Sequence, residues 1–209
     1  MRLLLTGFGP FPGVPRNPSA RLAVSLATEP RLRLLGIEAK ALVLPTTYAA
    51  IDLALLPALA QHGPGLVLML GVAARRRALS IETRATNRAS RLMPDASGQT
   101  GLRLTLEPDG PAARHLALAS TPLRRMVQGV PAHLSRDAGR YLCNAAYFAA
   151  LGQAGGRTAI FVHVPLPERP GRPTLAAMHR ALLPLIVGAL RQVRRSMAAR
   201  RQASAPAGR

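Results

Sequence analysis

Apolar and polar positions follow two rhythms along this chain, and the switches between them mark out its elements. Arg2 to Thr6 is a short apolar run closed by Gly7, which predicts a buried strand. Asn17-Pro18-Ser19 combines capping side chains with a proline in the first turn, and opens a helix to about Thr28. Ile37 to Leu44 reads as a second strand and Tyr48 to Gln61 as a helix. Leu66 to Leu70 is continuously apolar between glycines, the mark of a central strand. Arg77 to Asn87 reads as a further strand. Residues 88 to 111 hold few apolar periods and many turn formers, so they form a long loop or hairpin over one face, a length usually kept for function. A short helix (Leu123 to Gly129), a brief strand (Pro131 to Leu134), a helix (Tyr141 to Gly152), a strand (Thr158 to Val164) and a long last helix (Thr174 to Met197) follow. Strands alternating with helices predict a three-layer α/β/α domain with a mostly parallel, mixed central sheet.

Length and composition narrow this picture. The 209 residues suit one domain, placed at 1–198, and an apolar fraction of 48% gives it a core. With no Trp, four Phe and three Tyr, that core is aliphatic. Residues 199–209 read as a basic, disordered tail. The formal charge is +19, and Lys40 is the only lysine. Such a charge raises a nucleic-acid-binding module as a reading, but the arginines are spread along the chain and stacking aromatics are scarce, so nucleic acid is not the expected partner. Cys143 is the only cysteine, which excludes an internal disulfide and a cysteine-based zinc site. No secretory signal and no membrane span is expected: the longest apolar stretch, Ala41 to Ala60, is broken by Pro45, Asp52 and Pro57.

The chemistry-bearing positions are few. Gly7-Phe8-Gly9-Pro10-Phe11 follows the first strand, but prolines intervene before the helix, so it is not a dinucleotide loop. Phe8 and Phe11 either clasp a flat ring or anchor the loop. No serine nucleophile elbow, Walker loop or paired-histidine metal motif is present. Cys143 falls in the first turn of a helix, where the dipole and free backbone N–H groups favour a thiolate and can hold an oxyanion, although a lone thiol is also a common core residue. His163 stands near the end of an apolar strand, before Pro165, where α/β sheets place reactive groups. Glu82 either orients that imidazole or pairs with one of Arg75, Arg76 and Arg77.

Taken together, four segments resemble one family, the type I pyroglutamyl peptidases. They are Thr6-Gly7-Phe8-Gly9-Pro10-Phe11 with Asn17-Pro18-Ser19; Glu82 with Asn87 and Pro94-Asp95; Ala138-Gly139 with Cys143-Asn144; and Val162-His163-Val164-Pro165 with Pro167-Glu168. The resemblance spans about residues 2 to 190. It implies a phosphorylase/hydrolase-like fold and a cysteine peptidase that removes an N-terminal pyroglutamyl residue through a thioester. Cys143 would be the nucleophile, His163 the base and Glu82 its orienter, in hydrogen-bond series at one cleft. Phe8 and Phe11 would sandwich the pyrrolidone, with Asn17 and position 72 beside the substrate. It implies no cofactor and no metal, a blocked peptide as substrate, a homo-oligomer (a tetramer) and a cytoplasmic location. The chain departs from the family pattern at Val72, where a glutamine is usual, at Arg75, at Thr83 and at Ala145. Val72 motivates an alternative, the same amidase chemistry on another small N-terminal acyl group.

Overall fold

Three apolar seven-residue strands form the centre of the molecule: β1 (Arg2–Phe8), β3 (Leu66–Val72) and β8 (Thr158–Val164). Almost every residue in them is buried, as expected of strands covered on both faces. The structure, a computed structural model, describes residues 1–101, 104–153 and 158–203. With β2 (Glu38–Leu44), β4 (Leu79–Glu82) and β7 (Ala132–Ser135) these strands make one six-stranded sheet in the order β2-β1-β3-β8-β4-β7. All neighbours are parallel except β4 and β8, so the sheet is mixed and mostly parallel, as predicted.

Alternation along the strands sends side chains to two separate cores. Leu3, Leu5, Leu68, Leu70, Ile160 and Val162 point to one face, under α1 (Pro18–Ala27), α4 (Ser120–Met126) and α6 (Leu175–Ala203). Leu4, Phe8, Val67, Met69 and Phe161 point to the other, under α3 (Leu56–His62) and α5 (Leu142–Gly152). Gly7 lets α1 approach: a methyl there would lie 2.4 Å from the Ser19 carbonyl oxygen.

Several boundaries differ from the sequence reading. The expected strand Arg77 to Asn87 breaks at Thr83, whose N–H and hydroxyl both donate to the Ser135 carbonyl, at 2.7 and 2.9 Å. Beyond the break, β5 (Arg84–Thr86) leaves the main sheet and pairs antiparallel with β6 (Ala113–His115). The helix expected from Tyr48 is already helical at Ala49, but it widens into a π turn over Ile51–Leu55 before α3. Pro57 explains this, since it has no N–H to close an ordinary turn. A short helix, α2 (Pro30–Leu34), follows α1 where a connection was expected. The last helix runs to Ala203 and so takes in the start of the expected 199–209 tail; residues 204–209 lie outside the described residues. Residues 88–101 and 104–111 carry neither helix nor strand, in line with a long loop. Among the described residues no helix is long and apolar enough to cross a membrane.

Candidate active site

The second sheet face is also where the chemistry collects. Phe161 and His163 share that face of β8, and their rings pack 4.9 Å apart. On the antiparallel neighbour Glu82 stands opposite Phe161, one diagonal step from His163. On the parallel neighbour Gly71 stands opposite His163. Strand alternation alone therefore aims Glu82, His163 and the gap above Gly71 at one place. It lies at the C-terminal ends of β3 and β8, the usual ligand edge of a parallel sheet.

Glu82 is fully buried, and its Oε1 accepts from two donors, His163 Nδ1 at 2.8 Å and Arg76 Nη1 at 2.6 Å. Both readings of Glu82 thus hold at once: it orients the imidazole and it pairs with one of the three neighbouring arginines. Burial pushes its pKa up. The hydrogen bonds from His163 and Arg76 outweigh burial and hold the carboxyl below the ordinary glutamate range. Oε2 receives no hydrogen bond, because the Ser135 hydroxyl bonds the backbone of Asp137 instead. An ionised carboxylate only accepts, so His163 Nδ1 carries the proton of that bond and Nε2 is the other ring nitrogen.

Cys143 is delivered to the same face by α5. It is the second residue of that helix, with Tyr141 at the N-cap making no side-chain cap. The first amides of α5 therefore point at the site without intrahelical partners. The sulfur rests over Gly71: a methyl on Gly71 would lie 2.8 Å from Cys143 Sγ and 2.7 Å from Phe161 Cζ. Only a glycine leaves room for the thiol beside His163. The series is incomplete in the resting site, since among the described residues no hydrogen bond reaches Sγ. Nor is the thiol ionised as the helix position suggested. Burial, and then the Glu82 charge, push it up to about 12, against the opposing pull of its own amide and of Arg76.

Asn144 fixes α5 to β5. It accepts from Thr86 N at 2.8 Å and donates to the carbonyls of Thr86 and Arg88 at 2.8 and 2.9 Å. On the other side Tyr147 donates its hydroxyl to the Glu82 carbonyl at 3.0 Å. The loop after residue 88 closes over this helix end, with Ser90 N bonded to Arg140 O and the Tyr141 hydroxyl to Pro94 O.

The remaining predicted residues divide. Phe8 is buried in the core under α5, and Phe11 is half-buried in a tight turn with Val14. Asn17 is almost wholly committed to its own loop: Nδ2 donates to Gly9 O, and Oδ1 accepts from both Ser19 N and Ser19 Oγ while capping α1. Val72 does not join the site, because alternation turns it to the opposite sheet face, against the core under α1 and α6. Arg76 was legible only as one of three candidate partners for Glu82, and nothing in the sequence distinguished it. A cavity of about 810 Å³ lies beneath the 88–111 loop, lined by Tyr48, Ile51, Leu106, Ala145, Phe148 and others. Helical spacing places Ala145, Phe148 and Ala149 on the side of α5 away from Cys143, so this cavity is not the reacting site.

A thiol over an uncovered helix end, beside an imidazole oriented by a buried carboxylate on an α/β sheet, is the layout of a cysteine hydrolase. Known proteins give the class its particular form. The family model for pyroglutamyl peptidase matches residues 1–171. A pyrrolidone-carboxylate peptidase of Gloeobacter violaceus is 40% identical over 191 residues, 87% of this chain and 90% of that one. One from Deinococcus radiodurans is 36% identical over 173 residues, 78% of this chain and 77% of its own length. Among solved structures, a mutant pyrrolidone carboxyl peptidase of Pyrococcus furiosus superposes with a TM-score of 0.84 at 26% identity, covering 92% of this chain and all of that one. The chain belongs to the pyroglutamyl peptidase family.

Proposed function

We propose that the protein is a cysteine peptidase that hydrolyses the amide bond after an N-terminal pyroglutamyl residue, with Cys143 as nucleophile, His163 as base and Glu82 as the group orienting the base. The observation that carries this reading is the Glu82–His163 hydrogen bond at 2.8 Å on the same sheet face as Cys143 Sγ. Because the resting thiol is protonated, His163 Nε2 takes its proton as sulfur attacks the pyroglutamyl carbonyl. Glu82, kept ionised, stabilises the imidazolium that results. The tetrahedral oxyanion meets the uncommitted amides at the start of α5. Collapse of the intermediate breaks the C–N bond, and His163 returns the proton to the leaving amine. Water, deprotonated by His163, then splits the thioester and restores the thiol.

Phe8 and Phe11 supply the apolar walls for the lactam, and Asn17 holds the loop that carries them. Family resemblance supports a blocked peptide as substrate, a homotetramer, a cytoplasmic location, and a peptidase domain over 1–198 followed by a basic tail. The second reading, the same amidase chemistry on another small N-terminal acyl group, rests on the departure of the sequence at position 72 from the usual glutamine and not on a contact of Val72 with substrate, since its side chain faces the other core. The deciding assay measures release of aminomethylcoumarin from pyroglutamyl, prolyl and acetyl-alanyl amides by the full chain under reducing conditions. Pyroglutamyl turnover that iodoacetamide abolishes, and that Cys143→Ser lacks, supports the first reading. Turnover confined to another acyl group replaces it with the second.

A further inference from the structure

Glu82 Oε1 is shared between His163 and a second cation that the mechanism above does not use. Arg76 reaches it across the turn between β3 and β4, and its other nitrogen, Nη2, donates to Asp137 O at 2.7 Å on the far side. The turn itself is held from outside. Arg172 Nη1 donates to the carbonyls of Ala74 and Arg76, and Arg169 Nη1 to that of Ala74. The Arg76 guanidinium is thus fixed over a carboxylate that no solvent reaches, while its neighbours Arg75 and Arg77 are exposed.

We propose that Arg76 is a positioning residue for the proposed reaction: its fixed positive charge offsets that of Glu82, so that the Cys143–His163 pair exchanges its proton near neutral pH. This inference rests on the proposed peptidase activity. Electrostatics set its direction. Glu82 raises the proton affinity of the Cys143 thiol and Arg76 opposes it, and the same carboxylate oxygen is bonded to His163. The other groups facing the pair are Tyr147 and Tyr141, from α5 and its N-cap, and Ser135 from β7. Neither tyrosine ionises near neutrality, because burial raises both. Among the described residues no positive charge besides Arg76 acts on the Cys143 thiol.

The test compares wild type, Arg76→Gln, Arg76→Lys and Arg75→Gln. It reads the pH profile of kcat/KM on the coumarylamide and the pH profile of iodoacetamide alkylation at Cys143. Removing a neighbouring positive charge strengthens proton binding at both coupled groups. Both limbs for Arg76→Gln therefore move to higher pH by about one unit, and kcat at pH 7 falls about tenfold with little change in KM. Arg76→Lys keeps the limbs in place with a lower kcat, because a single ammonium cannot span Glu82 and Asp137 together. Arg75→Gln removes an equal charge from the same turn and leaves the limbs where they were. Limbs unmoved in Arg76→Gln, or moved equally in Arg75→Gln, overturn the proposal while the peptidase reading stands. If the glutamine variant does not fold, the lysine variant decides: an unchanged kcat overturns the proposal. Absence of wild-type turnover on every amide removes the peptidase reading itself, and this inference with it, although the alkylation profiles still report the coupling.

Discussion

Asn144→Ala is the sharpest test of how this fold holds its proposed nucleophile. Asn144 is fully buried; three of its hydrogen bonds go to backbone groups, the N–H and carbonyl of Thr86 and the carbonyl of Arg88, and its Oδ1 also accepts a long bond from the Thr86 hydroxyl. Truncation leaves those three groups without a protein partner. Each net hydrogen bond lost costs about 1 kcal/mol, and a group that water cannot reach costs about 1–3 kcal/mol. The bonds are only partly shielded, so water recovers some of the loss, and we expect destabilisation of about 2–4 kcal/mol. That is a large share of the roughly 5–15 kcal/mol typical of a domain. Guanidinium unfolding at fixed protein concentration gives the value, and hydrogen exchange at Thr86 locates it. Asn144→Asp is the companion variant, expected to cost at least as much: it keeps the bond from Thr86 N but turns a carboxylate toward two carbonyls. The next residue back is Cys143, so kcat falls with stability. A loss below about 0.5 kcal/mol, within the range of ordinary surface substitutions, would refute the claim that Asn144 docks α5.

Three further outcomes follow from the same geometry. Gly71→Ala places a methyl where Cys143 Sγ and Phe161 Cζ now lie, so we expect kcat to fall at least tenfold while stability drops by about 1–3 kcal/mol; unchanged kinetics would show that the sulfur moves freely. On the acid side, Glu82 sits below its unfolded pKa, so its contribution is present at neutral pH and is lost as pH falls through the folded value. Glu82→Gln should therefore be less stable than wild type at pH 7 and show a flatter acid limb in thermal melts, and parallel limbs would count against the buried ion pair. On the alkaline side, Cys143 ionises near 9 when unfolded and only at about 12 in the fold, so stability falls as pH rises above about 9. Cys143→Ala should flatten that limb only in part, because Tyr141, also raised to about 12, and Tyr147 act in the same direction; a slope identical to wild type would contradict the buried neutral thiol.

The sequence was informative where local rules decide the outcome. Apolar runs located β1, β3 and β8, and Asn17-Pro18-Ser19 located the start of α1, because strand burial and helix capping are set within a few residues. The break at Thr83 was not legible, because it depends on the Ser135 carbonyl, which arrives from a distant strand. The π turn before α3 had a visible cause in Pro57, yet the surrounding helical pattern masked it. The chemistry of Cys143, His163 and Glu82 was legible one residue at a time, but their meeting was not. It depends on strand order, which places β8 between β3 and β4. Val72 shows the converse: resemblance put position 72 beside the substrate, and alternation turns its side chain to the other face.

The arginines change meaning once they are placed. Nine acidic side chains cannot pair with so many cations, and in sequence the surplus raised an anionic partner only as the less favoured reading. In the fold several guanidinium groups donate to backbone carbonyls instead. Arg84 bonds Arg136 O, Arg114 bonds Phe148 O, Arg172 bonds Ala74 O and Arg76 O, and Arg76 bonds Asp137 O. Each ties a loop or the β5–β6 ribbon to a neighbouring segment of chain around the site. A planar fork with five donors suits that task better than an ammonium, which fits a chain with a single lysine. At Arg76 the two uses coincide, since one nitrogen holds a backbone carbonyl and the other the Glu82 carboxylate. Around this site the surplus charge is part of the scaffold that keeps the imidazole in place.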